Sequence, residues 1–156
     1  MYRKITALLV LSAAFAASGF HRAAEISIGC DGGWDLLIGD GASGRVYISH
    51  GAELDVGDAK TSQVIGKIIA LKGVHGIALA PEFGLGFISN GQAGTVTIFD
   101  LKTLQKIGDD VPAGKNPAAI IYYPGSKRVH AFIGPGSEAA AIDAEIGTVG
   151  HRCARR

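Results

Sequence analysis

The sequence predicts an all-β protein, a partial β-propeller of about three four-stranded antiparallel blades. Two observations support this prediction. One segment contains four short β-rich runs separated by turn residues, and that segment recurs every 40–43 residues. Short runs between clusters of Gly, Pro, Asn and Asp indicate strands linked by hairpins. Four such strands at a period of roughly 40–45 residues are typical of one propeller blade.

The composition agrees with a turn-rich β fold and gives no indication of a nucleic-acid partner. The chain of 156 residues holds 23 glycines, and its formal net charge is +1. Without Arg3 and Lys4, the 15 basic residues fall to 13 against 14 acidic ones, a net charge of −1. Surfaces that bind nucleic acids are usually strongly basic, so this class of partner is not supported.

The N-terminal stretch Met1–Ala16 is typical of a secretory signal peptide. Arg3 and Lys4 precede the apolar run Ile5–Ala14, which is too short to cross a bilayer as a helix. A small-residue cleavage pattern follows at Ala14-Phe15-Ala16. We therefore expect a periplasmic or secreted protein without a transmembrane segment after cleavage, the alternative being a retained N-terminal anchor.

The two cysteines, Cys30 and Cys153, do not form a recognisable site. An exported protein permits a disulfide, but the sequence leaves open whether this distant pair forms one. Neither cysteine has a His or Cys partner at the spacing of a zinc site. Inert small residues are the favoured interpretation of both.

The clearest copy of the repeat is the predicted blade 73–114. Its predicted strands are Gly76–Leu79, Gly86–Ser89, Thr95–Phe99 and Gln105–Val111. The predicted blade 33–72 aligns with it at a shift of 40 residues in its first half and of 42 in its second. The change of shift places a length difference in the turn between the second and third strands, where loops tolerate such changes.

The third predicted blade, 115–149, aligns at a shift of about 43 residues and weakens after Gly147. Residues 150–156 lack apolar alternation, so they are predicted to be a basic, unpaired tail. Before the first copy, Glu25–Ile28 aligns with the last strand of a blade. The propeller is thus expected over residues 25–149.

The repeat resembles that of the YVTN (YncE-like) β-propeller family. Tyr47-Ile48-Ser49-His50 and Phe87-Ile88-Ser89-Asn90 are similar to its Y-V-T-N signature, and the resemblance covers about residues 26–147. It implies an exported seven-bladed propeller without a general catalytic signature. Three blades are a departure from seven, so the chain is either a truncated propeller or one of several copies that assemble a ring.

Incomplete rings expose apolar blade faces, because each blade packs against its neighbours. The expected partners are therefore a second copy of the chain or another propeller fragment that covers these open faces. An oligomeric or poorly soluble protein is expected. A decayed gene fragment without function is a further alternative.

Propeller geometry places the loops that begin each blade beside the turns between second and third strands. This predicts a ligand-binding rim, formed by Trp34, Asp35, His50, His75, Asn90 and Asn116. Imidazole, carboxylate and amide groups suit a polar small ligand or a protein, and an indole can stack on a ring. The alternative for each residue is a structural role in turns or between blades. The predicted function is a non-catalytic binding or interaction module without cofactor, metal or catalytic residue.

An enzyme is the alternative function. Calcium-dependent lactonase propellers gather oxygen ligands around a hard cation, and five residues have suitable atoms: Asp35, Glu53, Asn90, Asn116 and Glu138. No serine lies in a G-x-S-x-G elbow. The G-x-G-x-x-G run at Gly39–Gly44 precedes a β-type run rather than a helix, so it predicts a hairpin turn and not a nucleotide site.

Overall fold

A computed structural model describes residues 22, 24–29, 32–147 and 149–154, the last segment without its side chains. The predicted signal peptide Met1–Ala16 and any pairing of Cys30 lie outside these residues. Three four-stranded antiparallel sheets follow one another along the chain, each with its strands in sequence order. The predicted fold class is therefore confirmed. No helix within the described residues is long and apolar enough to span a membrane.

The first sheet is a regular meander. Its strands are β1 Trp34–Asp40, β2 Arg45–His50, β3 Glu53–Asp58 and β4 Gln63–Ile68. Asp40 pairs with Arg45 across the β1–β2 turn, and the Asp40 carboxylate accepts a hydrogen bond of 3.0 Å from the amide of Ala42. The glycine-rich run at this place is thus a hairpin turn, as the sequence predicts.

The second sheet has a shorter outer strand than expected. Its strands are β5 Val74–Ala80, β6 Leu85–Asn90, β7 Thr95–Asp100 and β8 Val111–Pro112, with a 3-10 turn at Pro81–Phe83. The predicted strand Gln105–Val111 is reduced to one bridge, Phe99 to Lys106, and two paired residues. Leu104 and Gly108 adopt φ of 58° and 61°, so extended backbone is interrupted on both sides of that bridge.

The third sheet extends beyond its predicted end. Its strands are β9 Pro117–Tyr123, β10 Arg128–Ile133, β11 Glu138–Asp143 and β12 Val149–Ala154, with 3-10 turns at Pro124–Ser126 and Gly134–Gly136. Strand β12 pairs with β11, for example Arg152 with Ala140. The predicted boundary at 149 and the unpaired tail 150–156 are therefore corrected over 150–154. An outer strand is held by backbone hydrogen bonds to one neighbour and does not require apolar alternation.

The hydrophobic core lies between the blades. The innermost strand β5 lies beside both β1 and β9, so the three sheets fan out from a common axis. One buried cluster joins Tyr47 and Val56 of the first blade to Ile77 and Phe99 of the second. A second cluster joins the second and third blades in the same way. Each blade is thus stabilised mainly by burial against its neighbours.

The turns between third and fourth strands repeat one hydrogen-bonded structure. The carboxylates of Asp58, Asp100 and Asp143 each accept hydrogen bonds from the amides two and three residues further on. These backbone hydrogen bonds hold the pKa of Asp58 and of Asp100 below the usual range. The acidic residues on this side of the propeller therefore have a structural role in turns.

The predicted N-terminal strand is not a strand in the structure. Residues 24–29 have no assigned pairing, although Ile26 lies against the first blade. A Cβ on Gly57 would lie 3.2 Å from Ile26 Cδ1. The segment thus packs on the outer part of that blade without joining a sheet.

Candidate functional site

The loops that begin each blade lie beside the turns between second and third strands, as expected. The amide of Gly51 donates to the carbonyl of Gly33 (3.1 Å), and the amide of Gly91 donates to that of Gly73 (2.7 Å). We call this surface the rim, and it comprises residues 32–35, 51–52, 71–75, 91–94 and 113–116. These hydrogen bonds lie within a blade, and the amide of Val74 donates to the carbonyl of Gly51 (2.9 Å) between the first two blades. The backbone that carries the rim side chains is thus held in place.

Two of the predicted site residues form a side-chain hydrogen bond across the first two blades. The Asp35 Oδ2 atom lies 2.5 Å from His75 Nδ1. The side chains are 54% and 34% exposed, so both remain accessible to a ligand. The pair presents one carboxylate and one imidazole edge to solvent on the rim.

Two others stack on each other. The Trp34 and His50 ring centroids are 4.0 Å apart with an angle of 15° between the planes. His50 is only 4% exposed, and its Nδ1 lies 3.1 Å from Asp55 Oδ2. Trp34 remains 50% exposed. The indole is available to a ligand, whereas His50 is occupied inside the first blade.

His50 belongs to a compact charged cluster that also contains Glu53, Asp55 and Lys67. The histidine and the two carboxylates offer atoms within 4.8 Å of one another, the spacing of metal ligands. However, Lys67 Nζ lies 2.7 Å from Glu53 Oε1 and 3.0 Å from Asp55 Oδ1. The hydrogen bond from Lys67 holds the pKa of Glu53 below its usual value. The Lys67 ammonium thus pairs with both carboxylates of the cluster.

Asn90 has the repeat position of His50 and is also buried, with 1% exposure. Its Nδ2 donates to Thr97 Oγ1 at 2.8 Å, and that hydroxyl donates to Asp110 Oδ1 at 2.6 Å. This chain of hydrogen bonds crosses the second blade. The Asn90 amide nitrogen is thus held inside the blade, while its buried Oδ1 has no hydrogen-bond partner among the described residues.

The remaining site residue, Asn116, lies close to His75. A Cβ on Gly91 would lie 2.4 Å from Asn116 Oδ1 and 2.5 Å from His75 Nε2. Both side chains therefore pack on the backbone of Gly91. A larger residue at position 91 would displace these two side chains. Asn116 itself has a φ of 53°, a left-handed conformation that Asn tolerates. The structure thus brings Asp35, His75 and Asn116 together along the rim.

Two clefts of similar size occupy equivalent positions on the rim. The cleft between the first and second blades has a volume of about 380 Å³, and that between the second and third of about 410 Å³. Each is lined by one lysine, Lys72 in the first and Lys115 in the second, and Gln92 lines both. The sequence analysis did not propose the lysines. The sequence feature that could have identified them is their spacing: the two lysines are 43 residues apart, and each lies just before the inner strand of a blade.

The oxygen ligands expected for a calcium enzyme are not gathered at one point. Asp35 pairs with His75, and Glu53 pairs with Lys67. The Asn90 side chain is buried in the second blade. Asp35, Glu53 and Asn90 are thus engaged in separate contacts.

Comparison with known proteins identifies the fold. The chain is similar to Kuenenia stuttgartiensis hydrazine synthase, with a TM-score of 0.73, 16% identity, and coverage of 88% of this chain and 40% of that one. It is also similar to Saccharomyces cerevisiae Sqt1 (0.70, 12%, 81% and 37%) and to the WD40 repeats of RRP9 (0.71, 6%, 81% and 40%). At these identities the likeness concerns the fold alone.

No family model and no curated protein matches the sequence. The similarity to the YVTN family therefore remains a resemblance. The chain spans about two fifths of the length of the structures that it matches. Its three four-stranded antiparallel sheets fit part of a β-propeller.

Proposed function

We propose that the protein is an exported, non-catalytic binding module that holds an extended acidic segment of a partner protein across the two rim clefts. One observation supports this most directly. The cleft is repeated in neighbouring blades with a lysine at the same position, Lys72 and Lys115. A lysine repeated at the same position in both clefts suits a ligand with repeated negative charge, with Asp35 also lining the first cleft.

The lysines are available to such a ligand. Both are exposed, and neither forms a salt bridge within the described residues. A carboxylate that reaches either ammonium gains a charge-assisted hydrogen bond. Because the net charge of the whole chain is close to zero, attraction of an acidic ligand depends on these local charges.

Other rim groups supply neutral contacts. Gln92 lies between the two clefts, where its amide can bond to the backbone of a peptide that spans them. The exposed Asn116 and the half-exposed Trp34 lie at either side of it. The Asp35–His75 pair disfavours additional carboxylates beside the first cleft, so the ligand's charges are expected next to Lys72 and Lys115.

Export and the non-catalytic role are part of the proposal. Export is supported by the signal-peptide pattern of Met1–Ala16 and by the family resemblance. The non-catalytic role is supported by the contacts of Lys67, which pairs with the carboxylates of both Glu53 and Asp55.

A binding experiment with a defined probe tests this function. Fluorescence anisotropy with a fluorescein-labelled hexaglutamate peptide measures the affinity, and a hexalysine peptide is the charge-reversed control. Lys72→Gln and Lys115→Gln each weaken hexaglutamate binding roughly 3- to 10-fold, the loss of one charged hydrogen bond. Lys102→Gln, on the opposite side of the propeller, leaves it unchanged. Equal binding of both peptides, or equal loss in all three variants, would contradict the proposal.

A further inference from the structure

We propose that a second copy of this chain closes the ring, so that two chains form one six-bladed propeller. The third blade of each copy packs on the first blade of the other. The inference concerns the two end faces and does not depend on the proposed rim function. We call the open side of the first blade the leading face, with Leu37 and Ile48, and the open side of the third blade the trailing face, with Ile121, Tyr123 and Phe132.

The leading face exposes a position that is otherwise buried in the repeat. Leu37, Ile77 and Ile120 are equivalent, since they pair with Ile48, Ile88 and Ala131 in the same register. Their exposed fractions are 66%, 1% and 8%. The second and third copies are buried because another blade covers them. Leu37 is a branched apolar side chain like the two isoleucines, but no blade within the described residues packs over it.

The trailing face shows the complementary difference. Ile121 and Phe132 occupy the positions of Ala78 and Ser89 in the second blade. Ala78 and Ser89 are 2% and 0% exposed, whereas Ile121 and Phe132 are 56% and 47% exposed. Larger apolar side chains therefore occupy the end of the chain at positions that the next blade would cover.

The two faces are expected to fit because the chain already contains this interface twice. Ala78 and Ile120 belong to one buried cluster between the second and third blades. Ile38 and Ile77, at the same two repeat positions, pack in the cluster between the first and second. Continuing the series places Ile121 of one copy against Leu37 of the other.

The N-terminal segment leaves this area free. Ile26 lies against Gly57, and Gly32 lies against the His50 ring, so the segment covers the outer and rim-side parts of the leading face. It does not cover Leu37, which lies on the innermost strand. The segment therefore shields the charged cluster while the apolar inner part remains open.

The number of blades favours two copies. A contact between the trailing face of one copy and the leading face of the next is heterologous, and it must close into a ring or extend into a filament. Propellers typically have 4–8 blades. The three sheets of the described residues from two copies make six blades, which lies within that range.

Paired charge substitutions test the assignment of both faces. The full chain is expressed, its N-terminus is determined by mass spectrometry, and its mass in solution is measured by sedimentation velocity over a range of concentrations. The unmodified chain is expected to be a dimer. Leu37→Glu alone and Ile121→Lys alone each weaken dimerisation at least about 100-fold, because each buries an unpaired charge in both interfaces.

An equimolar mixture of Leu37→Glu and Ile121→Lys is expected to recover a dimer. In the mixed pair one interface is unmodified, and the other places the carboxylate against the ammonium. Ile107→Glu is the matched control. Ile107 in the middle blade is 43% exposed, close to the 44% of the equivalent Ile65 in the first blade, so a neighbouring blade does not cover this position. That variant stays dimeric.

Three results would overturn the inference: an unmodified chain that stays monomeric at all concentrations, single variants that remain dimeric, or a mixture that remains monomeric although circular dichroism shows that both variants are folded. If the single variants fail to fold alone, recovery of folded heterodimer after refolding of the mixture still supports the interface, and no recovery contradicts it. Lys72→Gln is expected to stay dimeric in sedimentation velocity. A failure of rim binding is therefore distinguishable from a failure of ring closure.

Discussion

The contact between Gly86 and Phe99 allows a quantitative test of packing between the first two blades. These residues pair across β6 and β7, and the tip of the Phe99 ring lies over the glycine. A Cβ at position 86 would lie 2.1 Å from Phe99 Cζ, which is 1.3 Å shorter than the 3.4 Å at which ordinary contact begins. Phe99 is completely buried beside Tyr47, so its ring has no free space to enter. Gly86→Ala is therefore expected to destabilise the protein by about 1–3 kcal/mol.

The effect should depend on the phenylalanine. Phe99→Ala removes the ring and costs about 3–5 kcal/mol by leaving a cavity. Adding Gly86→Ala to that variant should then be neutral or favourable, because the new methyl group occupies part of the space. The double-mutant cycle is expected to show a coupling of about 1–3 kcal/mol.

Urea unfolding followed by circular dichroism at one fixed protein concentration measures these free energies, since self-association would make stability depend on concentration. Gly41→Ala is the control, because no atom lies within 4 Å of its added Cβ. It should change stability by less than about 0.5 kcal/mol. If Gly86→Ala is as stable as the unmodified protein, or if its cost is the same with and without Phe99, the close packing inferred here is wrong.

Four further variants test hydrogen bonds and charged contacts. Thr97→Val removes the hydroxyl that joins Asn90 to Asp110, and denaturant unfolding should show that the free energy of unfolding falls by about 1–3 kcal/mol. Thr97→Ser keeps the hydroxyl and should retain most of the stability. The folded pKa of Asp100 is depressed, so its contribution to stability is present above the unfolded pKa and is lost as the pH falls through the folded pKa. Acid titration of the unfolding free energy below about pH 5 should accordingly be less steep for Asp100→Asn than for the unmodified chain. Asp35→Asn breaks a half-exposed hydrogen bond to His75 and should cost at most about 1 kcal/mol in the same denaturant assay; a larger loss would show that the pair is a structural requirement.

The strand order was predictable because apolar runs and turn residues recur at a fixed period. The errors arise where backbone conformation outweighs pattern. Residues 105–111 occupy the place of a fourth strand in the repeat, but Leu104 and Gly108 adopt positive φ and interrupt it. Conversely, Arg152 lies in a segment with no strand pattern, yet β12 forms, because an outer strand needs only backbone partners on β11.

The site was only partly predictable for a different reason. Sequence position places His50 and Asn90 at the start of a turn, where polar side chains are usually exposed. Their burial depends on Asp55 and Thr97 on the adjacent strand and becomes visible only when the register of the sheet is known. Lys72 and Lys115 were not identified because a single lysine in a connecting loop has no signal of its own, and their significance appears when the two clefts are compared.

The hydrogen bonds of the rim turns also bear on how the molecule would come apart. The carbonyls of Ala52 and Gly51 accept hydrogen bonds from the amides of Leu71 (3.0 Å) and Val74 (2.9 Å), which follow the first blade. The amide of Gly51 donates to the loop that precedes this blade. Each turn therefore fastens the segment before its blade and the segment after it. Amides in such loops should exchange with deuterium as slowly as those of strands. Under a pulling force the blades should unfold one at a time from the chain ends, and each step should break the hydrogen bonds of one such turn.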